Sequence, residues 1–171
     1  MLVILVIGPS GVGKSACGEY AASAIPQCQF SDLDILVRAR SGNPSVMELF
    51  NQIGPEAFFG RCRQEVSALL MSSSERVALV AVGAGAFEAS HAQEWLSQHP
   101  GPTIAIVAAP HEVHGRRSLG RTLAEFTAVE FSPHRQHLYD SAKYKCSVTG
   151  ISRDEAKTRF AELIREILSL Q

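Results

Sequence analysis

Three continuous apolar runs and two shorter, partly polar strand-like segments recur along the chain, separated by longer segments in which apolar residues return every three or four positions. Residues 2–7, 77–82 and 103–108 are continuous apolar runs, a pattern typical of strands that are buried on both faces of a sheet. Residues 27–31 and 144–148 predict two shorter strands. Because strands alternate with helices, the pattern predicts an α/β fold with a five-stranded, mostly parallel sheet flanked by helices.

Capping residues and prolines mark the predicted helix starts. Ser152 and Glu155 have the spacing of a capping box and open the last helix. Pro55 is suited to a first helical position and predicts a helix that ends near residue 71. By contrast, residues 118–131 show neither a clean helical nor a clean strand period.

The composition is that of a globular protein. Hydrophobic residues make up 46% of the 171 positions and charged residues 19%, which excludes a disordered or fibrous chain and predicts one domain over residues 1–171. The net charge of −1 disfavours binding to nucleic acid through bulk positive charge. Arginine nevertheless supplies 12 of the 16 basic residues, and its planar fork fits phosphate and carboxylate groups.

The four cysteines, Cys17, Cys28, Cys62 and Cys146, are dispersed and form no CxxC pair. This distribution indicates buried thiols in a reducing compartment. The apolar start has no basic region and runs directly into glycines, which is not typical of a signal peptide. No stretch approaches the ~20 apolar residues of a membrane span. We therefore expect a cytoplasmic protein that contacts no membrane.

Residues 8–15, with the sequence GPSGVGKS, fit the P-loop pattern G-x-x-x-x-G-K-S. The pattern lies between a predicted buried strand and a predicted helix, as a phosphate-binding loop requires. Glycines let backbone N–H groups turn towards a phosphate, and the helix N-terminus adds its positive dipole end. The Lys14 ammonium would reach the β- and γ-phosphates, and the Ser15 hydroxyl would ligate Mg²⁺. The segment predicts ATP and Mg²⁺ as ligands.

Two polar segments follow other predicted strands. Asp32 and Asp34 come directly after the second strand in a predicted turn, and Gly83–Ala84–Gly85 ends the third. In a parallel sheet both segments lie at the same edge as the P-loop. The carboxylates suit metal support and proton acceptance, and the glycines allow close approach of a ligand. A helix cap at either aspartate and a plain strand-to-helix turn at the glycines remain the alternatives.

Four arginines lie within or close to the segment without a clean period. Arginines in a mobile segment above phosphates would neutralise charge in a phosphoryl-transfer transition state. Solvated surface arginines are the alternative interpretation. The four residues are Arg116, Arg117, Arg121 and Arg135.

The ordered set of motifs resembles the shikimate kinase family over essentially the whole chain. The set comprises the P-loop, Asp32-x-Asp34, a Gly-Pro-Glu-Ala-Phe segment at 54–58, the glycine-rich turn, Arg121, and an R-x-x-L-Y pattern that begins at Arg135. The resemblance implies a three-layer P-loop NTPase fold, a short lid at about 116–131, and an ATP-dependent phosphotransferase with an alcohol group as acceptor.

The resemblance also implies roles for individual residues. Asp34 would contact the substrate hydroxyls and orient or deprotonate the attacking one, while Asp32 and Ser15 would hold Mg²⁺. Arg121 would close over the phosphates, and Arg135 would bind the substrate carboxylate. The nucleotide would be bound by Gly11, Val12, Gly13, Lys14, Ser15 and Ala16, with Arg117 near the adenine. The acceptor site would be lined by Gly83, Ala84 and Gly85.

The sequence departs from the family pattern on the acceptor side. Phe59 stands where the family has an arginine that binds the substrate carboxylate, and Ala84 interrupts the family's triple glycine. Arg63 lies four residues after Phe59, on the same helical face. Arg63 would replace the missing contact if the substrate is a carboxylate. If it is neutral, Phe59 would pack against an apolar ring face and Arg63 would be a surface residue.

The sequence therefore predicts an ATP-dependent kinase for a small hydroxylated molecule, either shikimate or a related polyhydroxylated ring or sugar acid. We expect a monomer or a weak dimer without a nucleic-acid partner. A degenerate ATP-binding protein with a regulatory or interaction role is the main alternative, and a nucleotide kinase is a weaker one.

Overall fold

The computed structural model describes residues 2–43, 45–71, 77–116 and 120–170. Its strands form an all-parallel, five-stranded sheet, which confirms the predicted fold class. The strands are β1 (Leu2–Ile7), β2 (Cys28–Asp32), β3 (Val77–Ala81), β4 (Thr103–Val107) and β5 (Tyr144–Ser147), and they lie in the order β2-β3-β1-β4-β5.

The connecting segments are mainly α-helical. They are α1 (Lys14–Ala24), α2 (Leu33–Ser41), α3 (Val46–Met71), a 3₁₀ helix (Ala84–Glu88), α4 (Ala92–Gln98), α5 (Pro110–Arg116), α6 (Leu123–Glu130), α7 (Pro133–Asp140) and α8 (Arg153–Ser169).

Helices cover both faces of the sheet because successive side chains of the central strand point in opposite directions. Leu5 and Ile7 of β1 pack in a core with α2, α3, α4 and α7, whereas Ile4 and Val6 pack in a second core with α1, α5, α6 and α8. All four side chains are fully buried. This explains why β1 is apolar at every position, and it gives the molecule three layers.

The strand register aligns the carboxyl ends of β1, β2 and β3 at one edge of the sheet. Ala81 of β3 pairs with Val6 of β1 on one side and with Asp32 of β2 on the other. The segments that follow these strands therefore emerge side by side at one edge of the sheet. They are the P-loop, the start of α2 and the 3₁₀ helix.

Three segments differ from the sequence-based expectations. Asp32 and Asp34 do not form a turn, because Asp32 caps α2 and Asp34 lies in its first turn. The glycine-rich segment continues as the 3₁₀ helix. The segment without a clean period contains α6, in which Phe126 and Glu130 are the buried residues. The helical period of α6 is not visible in the sequence because one of the residues on its buried face, Glu130, is charged.

The helix predicted from Pro55 is present, and within α3 it follows a first helical segment that begins at Val46, after the capping-box spacing of Ser45 and Glu48. The α3 backbone leaves the helical conformation at Gly54 (φ 77°), directly before the proline, so two helical segments meet there.

None of the described helices combines the length and the apolar composition needed to cross a membrane. Of the four cysteines, Cys17, Cys62 and Cys146 are buried and Cys28 is half-buried.

Candidate active site

A cavity of about 180 Å³ lies at the edge where the three strands end. Its walls come from the β1–α1 loop, the β2–α2 junction, and the junction between β3 and the 3₁₀ helix. The sheet topology therefore brings together residues that are up to about 70 positions apart in the sequence. The lining residues are Ser10, Gly11, Gly13, Lys14, Ser15, Ala16, Asp32, Asp34, Ala81, Gly83 and Ala84.

The P-loop joins β1 to α1 through a left-handed backbone at Gly13 (φ 110°), which caps α1 without a side-chain hydrogen bond. Only glycine adopts this conformation without strain. The Lys14 Nζ donates to the carbonyl oxygens of Gly8 (2.8 Å) and Pro9 (3.0 Å). The ammonium is thus held above the loop, next to the N-terminus of α1. This arrangement suits an anionic ligand.

Asp32 connects the P-loop to α2. Its Oδ2 accepts a hydrogen bond from the Ser15 hydroxyl (2.8 Å), and its Oδ1 accepts one from the Asp34 backbone N–H (3.0 Å). The carboxylate therefore caps α2, as one alternative in the sequence analysis proposed, and also faces the residue predicted to ligate a metal. One side chain positions both Ser15 and the first turn that carries Asp34.

Gly83 lies directly against the carboxylate of Asp34. A Cβ at this position would overlap both carboxylate oxygens. The absence of a side chain at Gly83 is therefore what lets Asp34 point into the cavity. Below Asp34, burial raises the pKa of the Cys62 thiol to about 12, and the negative charges of Asp34 and Glu65 reinforce that rise. A neutral thiol in the core thus lies under the anionic wall of the cavity.

Phe59 and Arg63 lie outside the described lining of this cavity. Phe59 is only 3% exposed and packs edge-to-face on Trp95 in the core, with ring centroids 5.5 Å apart. The exposed Arg63 guanidinium lies 6.0 Å from the Phe59 ring centroid. The face of α3 that carries Phe59 and Arg63 therefore packs against α4 and not against the P-loop. The structure therefore does not bring this predicted pair into the cavity.

Arg135 is also outside the described lining, because it is buried in an ion-pair network. Its Nε and Nη2 donate to Glu88 Oε1 at 3.0 and 2.6 Å, and its Nη1 lies 2.9 Å from Glu130 Oε2. Burial lowers the pKa of Arg135, but Glu88 and Glu130 outweigh this effect, so that the net shift is upward. Glu130 Oε2 also accepts from the Ser10 backbone N–H of the P-loop (2.9 Å).

Sequence reasoning missed Glu88 and Glu130. A signal for Glu130 was present, because it lies four residues after Phe126 and both residues are buried on the same face of α6. A carboxylate on an apolar helical face requires a charged or hydrogen-bonding partner. The exposed Glu88 offers no such signal.

The arginines before α6 lie at different places. Arg116 donates weakly from Nη1 to the Val12 carbonyl of the P-loop (3.5 Å) and pairs with Glu112. Arg121 precedes the cap of α6, and its carbonyl accepts a hydrogen bond from His114 Nε2 (2.8 Å). Arg117, predicted near the adenine, lies outside the described residues.

Two other predicted site residues, Val12 and Gly85, are not among the lining residues of the cavity, although both belong to segments that line it.

A protein-family model described as shikimate kinase matches residues 10–169. The chain belongs to the shikimate kinase family. The match spans all the lining residues of the cavity. Family membership makes the chain an ATP-dependent kinase, and hence a nucleotide-binding transferase. No curated protein matches the sequence.

Solved shikimate kinases share the fold. The enzyme from Bacteroides thetaiotaomicron has a TM-score of 0.77 at 22% identity, covering 98% of both chains. The enzyme from Aquifex aeolicus has a TM-score of 0.67 at 25% identity, covering 98% of this chain and 96% of that one. The enzyme from Acinetobacter baumannii, solved in complex with shikimate, has a TM-score of 0.69 at 21% identity, covering 100% and 95%.

Proposed function

We propose that this family member transfers the γ-phosphoryl group of ATP to a hydroxyl of a small polyhydroxylated molecule. The observation that carries the proposal is the cavity in which Lys14, Ser15, Asp32 and Asp34 converge beside Gly83. A site that only binds nucleotide needs no second carboxylate next to the phosphate loop. A kinase does need one, to orient or deprotonate the acceptor.

In this proposal the P-loop binds the nucleotide. Backbone N–H groups from Gly11 to Ala16 surround the phosphates, and Lys14 exchanges its two loop carbonyls for phosphate oxygens. Ser15 and Asp32 fit a magnesium site, since Mg²⁺ in proteins is bound through one or two carboxylates together with phosphate oxygens and waters. When bound, Mg²⁺ supplies neutralisation of the phosphate charge.

Asp34 is the proposed catalytic base. The acceptor hydroxyl donates its proton to the Asp34 carboxylate while its oxygen bonds to the γ-phosphorus, and the bond from that phosphorus to the bridging oxygen breaks to leave ADP. Arg121 closes over the phosphates on a lid that spans about residues 116–131. Most of the catalysis then comes from positioning and charge neutralisation.

The acceptor proposed from the sequence is shikimate or a related polyhydroxylated ring or sugar acid. Two features support this class: membership in the family, and the fold shared with the enzyme solved in complex with shikimate. The small cavity and the paired carboxylates suit a compact polyol. Arg135, predicted to bind the substrate carboxylate, pairs in this structure with Glu88 and Glu130 of its own chain.

The test is ADP release with a panel of hydroxylated acceptors. Lys14→Ala is expected to lower kcat about 10²–10³-fold, because it removes a donor to the transferring phosphoryl group. Lys157→Ala is the matched control, since Lys157 pairs with Asp154 on α8, outside the lining of the cavity. Unchanged turnover in Lys14→Ala would contradict the proposal. ATP binding without acceptor-dependent ADP release would favour the regulatory alternative.

A further inference from the structure

The carboxylate of Glu130 holds the P-loop by its backbone. Its Oε2 accepts a hydrogen bond from the Ser10 N–H (2.9 Å), although the two residues are 120 positions apart in the sequence. The Glu130 side chain is only 6% exposed, and Glu130 is not among the described lining residues of the cavity. The contact therefore acts on the loop itself and not on a ligand in the cavity.

The peptide unit between Pro9 and Ser10 connects Glu130 to Lys14. While its N–H donates to Glu130, its carbonyl oxygen accepts from the Lys14 Nζ (3.0 Å) and from the Val12 backbone N–H (3.3 Å). Because a trans peptide unit is planar, its N–H and C=O point in opposite directions and cannot turn independently of each other. Fixing the N–H on Glu130 therefore fixes the direction of the carbonyl that holds the Lys14 ammonium.

The charge of Glu130 is compensated, as a site for phosphates requires. An uncompensated carboxylate beside the P-loop would repel a nucleotide phosphate, and its burial without a partner would be unfavourable. The Arg135 Nη1 lies 2.9 Å from Glu130 Oε2, the same oxygen that accepts from Ser10. The hydrogen bond to the loop thus has the strength of a charged acceptor without leaving an unpaired negative charge there.

Glu130 also joins the P-loop to the proposed lid, which spans about residues 116–131. Glu130 is the last residue of α6, and Arg116 is the last residue of α5. The Arg116 Nη1 donates weakly to the Val12 carbonyl (3.5 Å). Both ends of the lid segment therefore contact the loop between Ser10 and Val12, and Glu130 makes the shorter of the two contacts.

We propose that Glu130 is a positioning residue that holds the Pro9–Ser10 peptide, and through it Lys14, in the conformation that binds nucleotide. The inference rests on the proposed function, in that the P-loop binds the phosphates of ATP. Without the carboxylate, the loop samples other conformations, and the apparent affinity falls in proportion to the fraction of chains that keep the binding conformation. A hydrogen bond to a charged acceptor changes such an equilibrium by about 10- to 100-fold.

The experiment measures binding of a non-hydrolysable ATP analogue with Mg²⁺ to the full chain by calorimetry, together with Tm and amide hydrogen exchange at Ser10. Glu130→Ala is expected to weaken binding of the analogue about 10-fold or more and to speed exchange at Ser10. Glu130→Gln keeps an oxygen that accepts from the Ser10 N–H. It should recover most of the lost affinity, because a neutral acceptor retains part of the hydrogen-bond energy.

Glu65→Ala is the matched control, because Glu65 is also a buried glutamate that pairs with an arginine, Arg40 (2.8 Å), but lies on α3 outside the described lining of the cavity. It should lower Tm and leave both the affinity for the analogue and the exchange at Ser10 unchanged. If Glu130→Ala does not fold, Glu130→Asp replaces it. The aspartate keeps a negative charge near Arg135 but withdraws the carboxylate from Ser10 by one methylene, so the same loss of affinity is expected.

Wild-type affinity for the analogue in Glu130→Ala, or in the Glu130→Asp that replaces it, overturns the proposal. An equal loss of affinity in Glu65→Ala does so as well, because the effect would then follow general stability and not the position of the loop. A wild-type chain that does not bind the analogue at all would contradict the proposed function, and this inference with it. The two failures are therefore distinguishable.

Discussion

At the scale of single residues, the contact between Gly83 and Asp34 determines where the proposed base lies. Gly83 has an ordinary backbone conformation (φ −68°), so an alanine would be tolerated by the backbone itself. The conflict is with the Asp34 carboxylate, which occupies the space that a Cβ would take. The glycine is needed for space and not for backbone freedom.

Gly83→Ala is therefore expected to lower kcat by about 10²-fold or more with a small change in Tm, because displacing a reacting group by about 1 Å has an effect of that size. Acceptor-dependent ADP release and thermal unfolding give the two measurements. Gly60→Ala in α3 is the control, since its Cβ would meet open space. Wild-type kcat in Gly83→Ala would show that Asp34 is not the base or that it moves without consequence.

At the scale of elements, α6 is stabilised by a complete capping box. The Thr122 hydroxyl accepts from the Glu125 N–H (3.3 Å), and the Glu125 carboxylate accepts from the Thr122 N–H (2.8 Å). Arg121, the proposed lid arginine, comes immediately before this cap. At the other end of the same helix, Glu130 contacts the P-loop. The helix thus links the two parts that must close together.

We expect Thr122→Ala to destabilise the protein by about 0.5–2 kcal/mol, the usual range for loss of an N-cap, and to lower kcat as the first turn of α6 frays. Ser152→Ala removes the same type of cap from α8, which contributes no residue to the cavity. Its loss of stability should be similar, with kcat retained. Equal effects of the two substitutions on kcat would argue against a lid role for the segment before α6.

At the scale of the whole molecule, His99 joins the end of α4 to the central strand. Its Nε2 donates to the Val3 carbonyl of β1 (2.9 Å). Burial lowers the pKa of His99 from 6.5, and the hydrogen bond to Val3 opposes this shift only in part. The folded chain therefore favours the neutral imidazole, whereas the unfolded chain takes up a proton more readily.

Because the unfolded state binds more protons, the contribution of His99 to stability is complete above pH about 6.5 and decreases as the pH falls through the lower folded pKa. Thermal unfolding from pH 7.5 to 5.5 should show a falling Tm. His99→Gln, which keeps an N–H donor but cannot be protonated, should reduce the slope. His111→Gln, at an exposed position, should not. The same slope in His99→Gln and wild type would exclude this mechanism.

The sequence alone determined the elements that depend on local chemistry. Continuous apolar runs located β1, β3 and β4 within one residue of their ends, because a strand buried on both faces tolerates few polar side chains. The shorter β2 and β5 were located equally closely from partly polar segments. The glycine pattern located the P-loop, and the Ser152–Glu155 spacing located the start of α8. Parallel topology then implied that Asp32, Asp34 and Gly83 lie at the same edge of the sheet as Lys14, and all four residues line one cavity.

The tertiary structure alone decided where the predicted arginines and Phe59 lie, and none of those that the structure describes lines the cavity. Arg135 matches the family pattern and Phe59 departs from it, yet the structure places both outside the cavity lining: Phe59 packs on Trp95, and Arg135 pairs with Glu88 and Glu130. These partners are 36, 47 and 5 residues away in the sequence. Local spacing fixes the direction of a side chain along its own helix, but its partner is set by packing between elements. The charge of a buried guanidinium is satisfied by whichever carboxylates that packing brings within reach.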